Sequence, residues 1–292
     1  MERIAPVTFV PRRVVVAGVV LGSLAAAAPA SAAVTQIAGS GSSASTPYLE
    51  VLFKAYKKVD PSVKFVFTAN NGNAGAADVQ AGRSQFAVQT RPPLPSDSGL
   101  SYSKLFLDAL TISVNPANKL NNLPLANAKD IFTGKVTEWS AFPDSGLNAP
   151  ISAFGRNATA GLYTFFTAAV LGGEAQGTNV TPLDKDGEVA VALSKNPNGI
   201  GYVGLANSRE GSGVKRLSLN GVAATPKTIK SLKYPLSRYA WIVLSAKSPN
   251  KKVLKFADWI RSSYEAGVVI EKAGAVPAFN ATKPAKKKSK KK

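Results

Sequence analysis

The chain has 292 residues, 45% hydrophobic and 8% aromatic, with mean hydropathy near zero, a globular composition with room for one large domain or two smaller ones. It contains neither Cys nor His, which excludes thiolate nucleophiles, Ser-His-Asp triads, phosphohistidine intermediates, disulfides and the usual zinc and copper sites. No catalysis, metal or cofactor is expected from its 17 acidic residues, and a formal charge of +19 is left to explain.

That charge is unevenly placed. Residues 1–32 carry a net +2, and the tail from Lys283 holds seven Lys and no acid, which leaves +10 on residues 33–282. The first 32 residues read as a secretory signal. Arg12 and Arg13 precede an apolar run from Val14 to Ala28, and Ala30-Ser31-Ala32 supplies the small-x-small cleavage pattern. The paired Arg match twin-arginine export only in part. Cleavage is expected after Ala32. Without a Cys at the new N-terminus the mature protein is not a lipoprotein, so the sequence implies export to the periplasm, the cell envelope or the medium.

From Val34 strands and helices alternate. An apolar-alternating run over 34–38 predicts a strand, followed by Gly39-Ser40-Gly41-Ser42-Ser43-Ala44-Ser45-Thr46-Pro47. Leu49, Leu52, Phe53 and Tyr56 then recur at i, i+3, i+4 and i+7, which predicts an amphipathic helix over 48–56, begun by a Ser/Thr cap with Pro in its first turn. A strand, a loop of small hydroxyl residues and a helix N-terminus make an oxyanion cradle, since unpaired N–H groups and the positive helix end face one spot. An ordinary βα loop with a Ser cap reads the same way.

Further along, 63–67 and 86–89 predict strands, separated by the polar loop 70–75 and a short helix over 76–81. The strand at 86–89 ends at Thr90-Arg91-Pro92-Pro93, where Pro stops pairing. Another strand is predicted at 110–114, a short helix at 128–132, and a strand at 151–154 that runs into Gly155-Arg156-Asn157-Ala158-Thr159-Ala160-Gly161. Leu162, Phe165, Phe166 and Ala169 give a helical stripe. A helix over 188–193, a turn at 196–199, strands at 200–203 and 239–244, and helices at 253–260 and 268–273 complete the series. Such alternation predicts an α/β fold with largely parallel sheets. Ligands in such folds sit beyond the carboxyl ends of the strands, where the loops 39–46, 70–75, 90–93 and 155–161 all fall.

Longer motifs carry a resemblance. Asp130-Ile131-Phe132-Thr133-Gly134-Lys135-Val136-Thr137-Glu138-Trp139, Pro197-Asn198-Gly199-Ile200-Gly201-Tyr202-Val203, Tyr234-Pro235-Leu236-Ser237-Arg238 and Gly274-Ala275-Val276-Pro277, with Gly39-Ser40-Gly41-Ser42-Ser43, resemble segments of the phosphate-binding protein of bacterial ABC phosphate transporters. The resemblance spans essentially all of residues 34–280 and implies a two-lobed type II periplasmic-binding-protein-like fold with the ligand in a cleft. It places lobe 1 at 33–114 plus 235–282 and lobe 2 at 115–234, with 283–292 a disordered Lys-rich tail.

The same resemblance implies a site made of Ser42, Ser43, Asn73, Thr90, Arg91, Arg156, Thr159 and Gly161, binding phosphate or a related oxyanion. Ser43 matches a hydroxyl ligand, Arg156 the guanidinium that forks onto phosphate, and Gly161 the residue whose N–H opens the next helix. Asn73 stands where the family usually has Ser. The family's Ser and Thr beside that Gly are Ala160 and Leu162 here, and Thr159 is positioned to replace one. The family's proton-accepting Asp is absent, with Thr90-Arg91-Pro92 in its place. A carboxylate there repels a fully ionised anion, so its loss predicts weaker discrimination between phosphate and sulfate. The resemblance also implies an ABC permease as partner, with the binding protein a monomer and not an enzyme. The Lys-rich tail is a solubilising end or a contact for a polyanion. The lost hydroxyls, the lost Asp and the tail favour one alternative, an envelope-associated scaffold or adhesin-like protein of this fold with weak or lost phosphate binding.

Overall fold

The strands predicted near the four polar loops all belong to one continuous sheet. The structure is a computed structural model that describes residues 34–279, so the expected signal at 1–32 and the tail at 283–292 lie outside the described residues. In chain order the elements are β1 (Thr35–Gly41), α1 (Thr46–Tyr56), β2 (Val63–Thr68), α2 (Gly72–Gln80), β3 (Phe86–Gln89), β4 (Leu100–Val114), β5 (Asn122–Leu123) and α3 (Leu125–Phe132). There follow β6 (Ser152–Arg156), α4 (Gly161–Ala169), β7 (Val180–Leu183), α5 (Asp186–Lys195), β8 (Gly199–Gly204), β9 (Lys215–Arg216), β10 (Ser218–Leu219) and α6 (Pro226–Lys230). The chain returns through β11 (Ser237–Ser245), α7 (Lys251–Ser262), α8 (Tyr264–Lys272) and β12 (Val276–Pro277).

The main sheet runs β2-β1-β3-β11-β4-β8-β6-β7. At its two ends the pairing is parallel, β1 with β2 and β3 and β6 with β7 and β8, as the βα alternation predicts. The centre is antiparallel, because β4 and β11 carry the chain across and back. β4 pairs with β11 over its first ten residues, Leu100 to Ala109, and with β8 from Leu110 to Val114. The change of partner falls between Ala109 and Leu110.

The sequence pattern predicts only 110–114 of this strand. The preceding Ser101-Tyr102-Ser103-Lys104 and Asp108 break the apolar pattern, and the tertiary structure overrides them. Asp108 is fully buried, yet Arg238 on β11 donates to its Oδ2 from Nε at 3.1 Å and from Nη2 at 2.7 Å, and Tyr48 OH donates to Oδ1 at 3.3 Å. An acid inside the sheet is tolerated only with such partners.

Two apolar clusters flank the halves of the sheet. One joins α1, α7 and α8 to β1–β3 through Ile37, Leu49, Leu52, Phe86, Ile242 and Phe256. The other joins α3 and α4 to β4, β6 and β8 through Ile112, Ile131, Phe132, Trp139, Phe166 and Tyr202. Phe166 stacks on Tyr202 at 3.9 Å between ring centroids, and the fully buried Trp139 donates from Nε1 to Asn198 O at 2.9 Å. Both Trp139 and Phe166 are core residues. Among the described residues no helix is long and apolar enough to cross a membrane.

Candidate oxyanion site

The carboxyl ends of β1, β3 and β6 present their loops toward two linked clusters. The first is built on Arg156, the last residue of β6. Arg156 is 2% exposed, and its own N–H donates to Tyr202 OH at 2.9 Å, which fixes the main chain at the strand's end. The guanidinium is spread over three acceptors. Nε donates to Leu183 O at 3.0 Å, Nη2 donates to Asp184 O, and Nη1 donates to Ser43 Oγ at 3.3 Å. The last contact brings together two residues 113 apart in the chain, one from the loop before α1 and one from the end of β6. Ser43 Oγ also accepts from Asp186 N–H at 3.3 Å.

Asp186 opens α5 and is fully buried. Its carboxylate accepts from Gly204 N–H at 3.0 Å and from Asn207 Nδ2 at 2.6 Å. Burial pushes its pKa above the usual carboxylate range, although Arg156, Asn207, Gly204 N–H and Arg238 all pull it down. Burial likewise lowers the Arg156 pKa against the pull of Asp186, Tyr202 and neighbouring acids, and a guanidinium remains a cation under such a shift.

The second cluster gathers on Asn73, in the first turn of α2. Asn73 Nδ2 donates to Thr159 O at 3.1 Å and to Thr164 Oγ1 at 3.4 Å, and so ties α2 to the loop and first turns of α4. Its Oδ1 accepts from Arg91 Nε at 2.8 Å and from Gln89 Nε2 at 3.1 Å. Thr159 enters this cluster by its carbonyl, while its hydroxyl donates to Asn157 Oδ1 at 2.7 Å. Thr90 enters by its main-chain N–H, which donates to Gln89 Oε1 at 3.0 Å.

Arg91 differs from Arg156 in what it faces. Nη1 and Nη2 fork onto Asp97 at 2.7 and 3.0 Å, and Nη1 also donates to Pro92 O at 2.9 Å. With only 4% of its surface exposed, Arg91 is an ion-paired strut whose charge is matched locally. Burial pushes the Asp97 carboxyl up, but the bonds from Arg91 and from Leu94 N–H carry it below the usual range.

The loop main chains complete the frame. Ser42 is buried and acts through its backbone, its N–H donating to Val88 O at 2.8 Å and its carbonyl accepting from Ser45 N–H at 3.1 Å. Neither α1 nor α4 has a side-chain cap; in α1 Thr46 N–H and Tyr48 N–H donate to the carbonyls of Ser43 and Ser45 and Pro47 has no N–H, so it is the first turn of α4, opened by Gly161, that faces an outside acceptor. Ser45 Oγ, before α1, is buried without a hydrogen-bond partner. An uncapped helix end, hydroxyls and a guanidinium are donors of the kind that hold a small oxyanion. Asp186 and Gln89 carry no distinct signal in the sequence: an acid at the start of a helix reads as ordinary capping, and a polar residue closing a strand reads as its solvent end.

Known proteins resemble the chain over most of its length. The chain is 26% identical over 242 residues to the phosphate-binding protein PstS of Borreliella burgdorferi, covering 79% of this chain and 86% of that protein. It is 29% identical over 255 residues to PstS of Staphylococcus epidermidis, covering 82% and 77%. Among solved structures it is similar to a Clostridium perfringens protein assigned as a phosphate ABC transporter substrate-binding protein and solved with phosphate bound. That match has a TM-score of 0.78 and 25% identity, and covers 83% of this chain and 99% of the other. The family model described as the PBP superfamily domain matches residues 26–263, and the chain belongs to that superfamily.

Proposed function

We propose that the protein is an exported solute-binding protein that captures an inorganic oxyanion, phosphate before others, and delivers it to an ABC permease. The observation that carries the reading is the 3.3 Å contact between Arg156 Nη1 and Ser43 Oγ. It joins a cation and a hydroxyl from opposite halves of the sheet, the cation beginning the loop that leads into the uncapped start of α4. The PstS relatives and the phosphate-bound neighbour support phosphate as the ligand.

In this reading the two halves of the sheet, with their separate apolar clusters, are lobes hinged on β4 and β11. An anion touching both lobes favours their closure, and the bond from Asn73 to the Thr159 carbonyl is a latch across the same gap. The protein acts as a monomer and carries no catalytic step. The absence of a Cys leaves it unacylated after export.

The test is a thermal melt with and without phosphate. A ligand present at 100 times its Kd stabilises the native state by about 2.7 kcal/mol, so a clear rise in the midpoint is expected at millimolar phosphate. No rise there would remove the transport role and leave the scaffold reading. Parallel titrations with sulfate measure discrimination. Because Thr90-Arg91-Pro92 stands where the family has its proton-accepting Asp, the expected preference for phosphate is below about a thousandfold.

A further inference from the structure

Gln89 closes the apolar strand β3, and its side chain is fully buried. The carboxamide lies between the first residues of two helices. A Cβ built on Gly72, which opens α2, would fall 2.0 Å from Gln89 Oε1, and one built on Gly161, which opens α4, would fall 2.3 Å from the same oxygen. Only glycine at both positions leaves room for it.

Two bonds hold the group there: Thr90 N–H donates to Oε1 at 3.0 Å, and Nε2 donates to Asn73 Oδ1 at 3.1 Å. An oxygen with partial negative charge therefore rests where two helices direct their positive ends, one of them uncapped. The place adjoins the Arg156 cluster. Ser42 N–H bonds the carbonyl of Val88, the residue before Gln89, and Gly161 ends the loop that Arg156 begins.

We propose that Gln89 sets the affinity of the oxyanion site: its carboxamide competes with the anion for the junction of α2 and α4 and must be moved aside when an anion enters. The proposal rests on the oxyanion-binding reading above. Because Gln89 also bonds Asn73, moving it frees one acceptor position on the residue that ties α2 to the Thr159 carbonyl. Anion entry and rearrangement of that tie are thus coupled.

Titration calorimetry of the full chain with inorganic phosphate tests this. Gln89→Ala empties the junction and is expected to tighten phosphate binding about tenfold. Gln89→Met keeps the bulk but gives up both hydrogen bonds, and is expected to tighten binding about threefold; it serves as the measurement if the alanine variant fails to fold. If wild type binds phosphate and the folded variants bind equally or more weakly, the amide is a spectator or a ligand donor and the proposal is overturned, with the oxyanion reading intact. If neither wild type nor variants bind phosphate, that reading falls and this proposal falls with it.

Discussion

Replacing Arg156 by Lys preserves the charge and removes the fork. In the native arrangement three guanidinium nitrogens serve three acceptors: Leu183 O at 3.0 Å, Asp184 O, and Ser43 Oγ at 3.3 Å. An ammonium at the end of a flexible stem reaches one of them in good geometry, so two acceptors lose their donor. At about 1–1.5 kcal/mol net for each bond, the variant is expected to lose about 2–3 kcal/mol of folding stability. Loss of one charge-assisted contact to the anion, about 2 kcal/mol, further predicts phosphate binding weaker by about thirtyfold. Urea unfolding and titration calorimetry on the same preparation separate the two effects. A variant that loses the stability but binds phosphate within about twofold of wild type would show that the guanidinium only braces the loops, and the site as drawn would be wrong.

Three other outcomes follow from the buried polar groups. Asp108→Asn leaves the 4%-exposed Arg238 without its counter-charge and is expected to cost about 3–5 kcal/mol by denaturant unfolding, whereas Asp108→Asn combined with Arg238→Met recovers part of that loss. The Asp97 pKa is lower in the folded protein than the unfolded value of about 4. Its stabilisation is therefore present above pH ~4 and lost as pH falls through the folded value, so Asp97→Asn should lower stability at pH 7 and flatten the acid limb of a stability-pH curve. Asp186 has the opposite sign. Its contribution is full below pH ~4 and is lost as pH rises through the raised folded value, so Asp186→Asn, which keeps an acceptor for Gly204 N–H, should be at least as stable as wild type at pH 7 and gain nothing at pH 3. Thermal melts across pH measure both.

The parts of this architecture legible in the sequence are those encoded locally. The stripe of Leu49, Leu52 and Tyr56 gives α1 its buried face, and the polar loops mark the strand ends because turn chemistry is a short-range property. β4 was half hidden because what makes its polar residues acceptable arrives from far away, Arg238 lying 130 residues beyond Asp108. Arg156 stood out as a cation ending a strand inside a motif. Arg91 read the same way in sequence, and only the fold of the Pro-rich loop places Asp97 beneath it. The position of Gln89 depends on two glycines that meet in space and not in sequence, which no pattern along the chain records.

The 15 residues of β4 belong to both halves of the sheet at once. Neither half is a separable module, since excising one strips its neighbour of an edge and leaves a row of orphaned amides. A single-residue deletion near Ala109 would turn every later side chain of the strand to the opposite face, putting Thr111 and Ser113 where Leu110 and Ile112 now pack. Length changes in this one strand should therefore be far less tolerated than equal changes in any connecting loop.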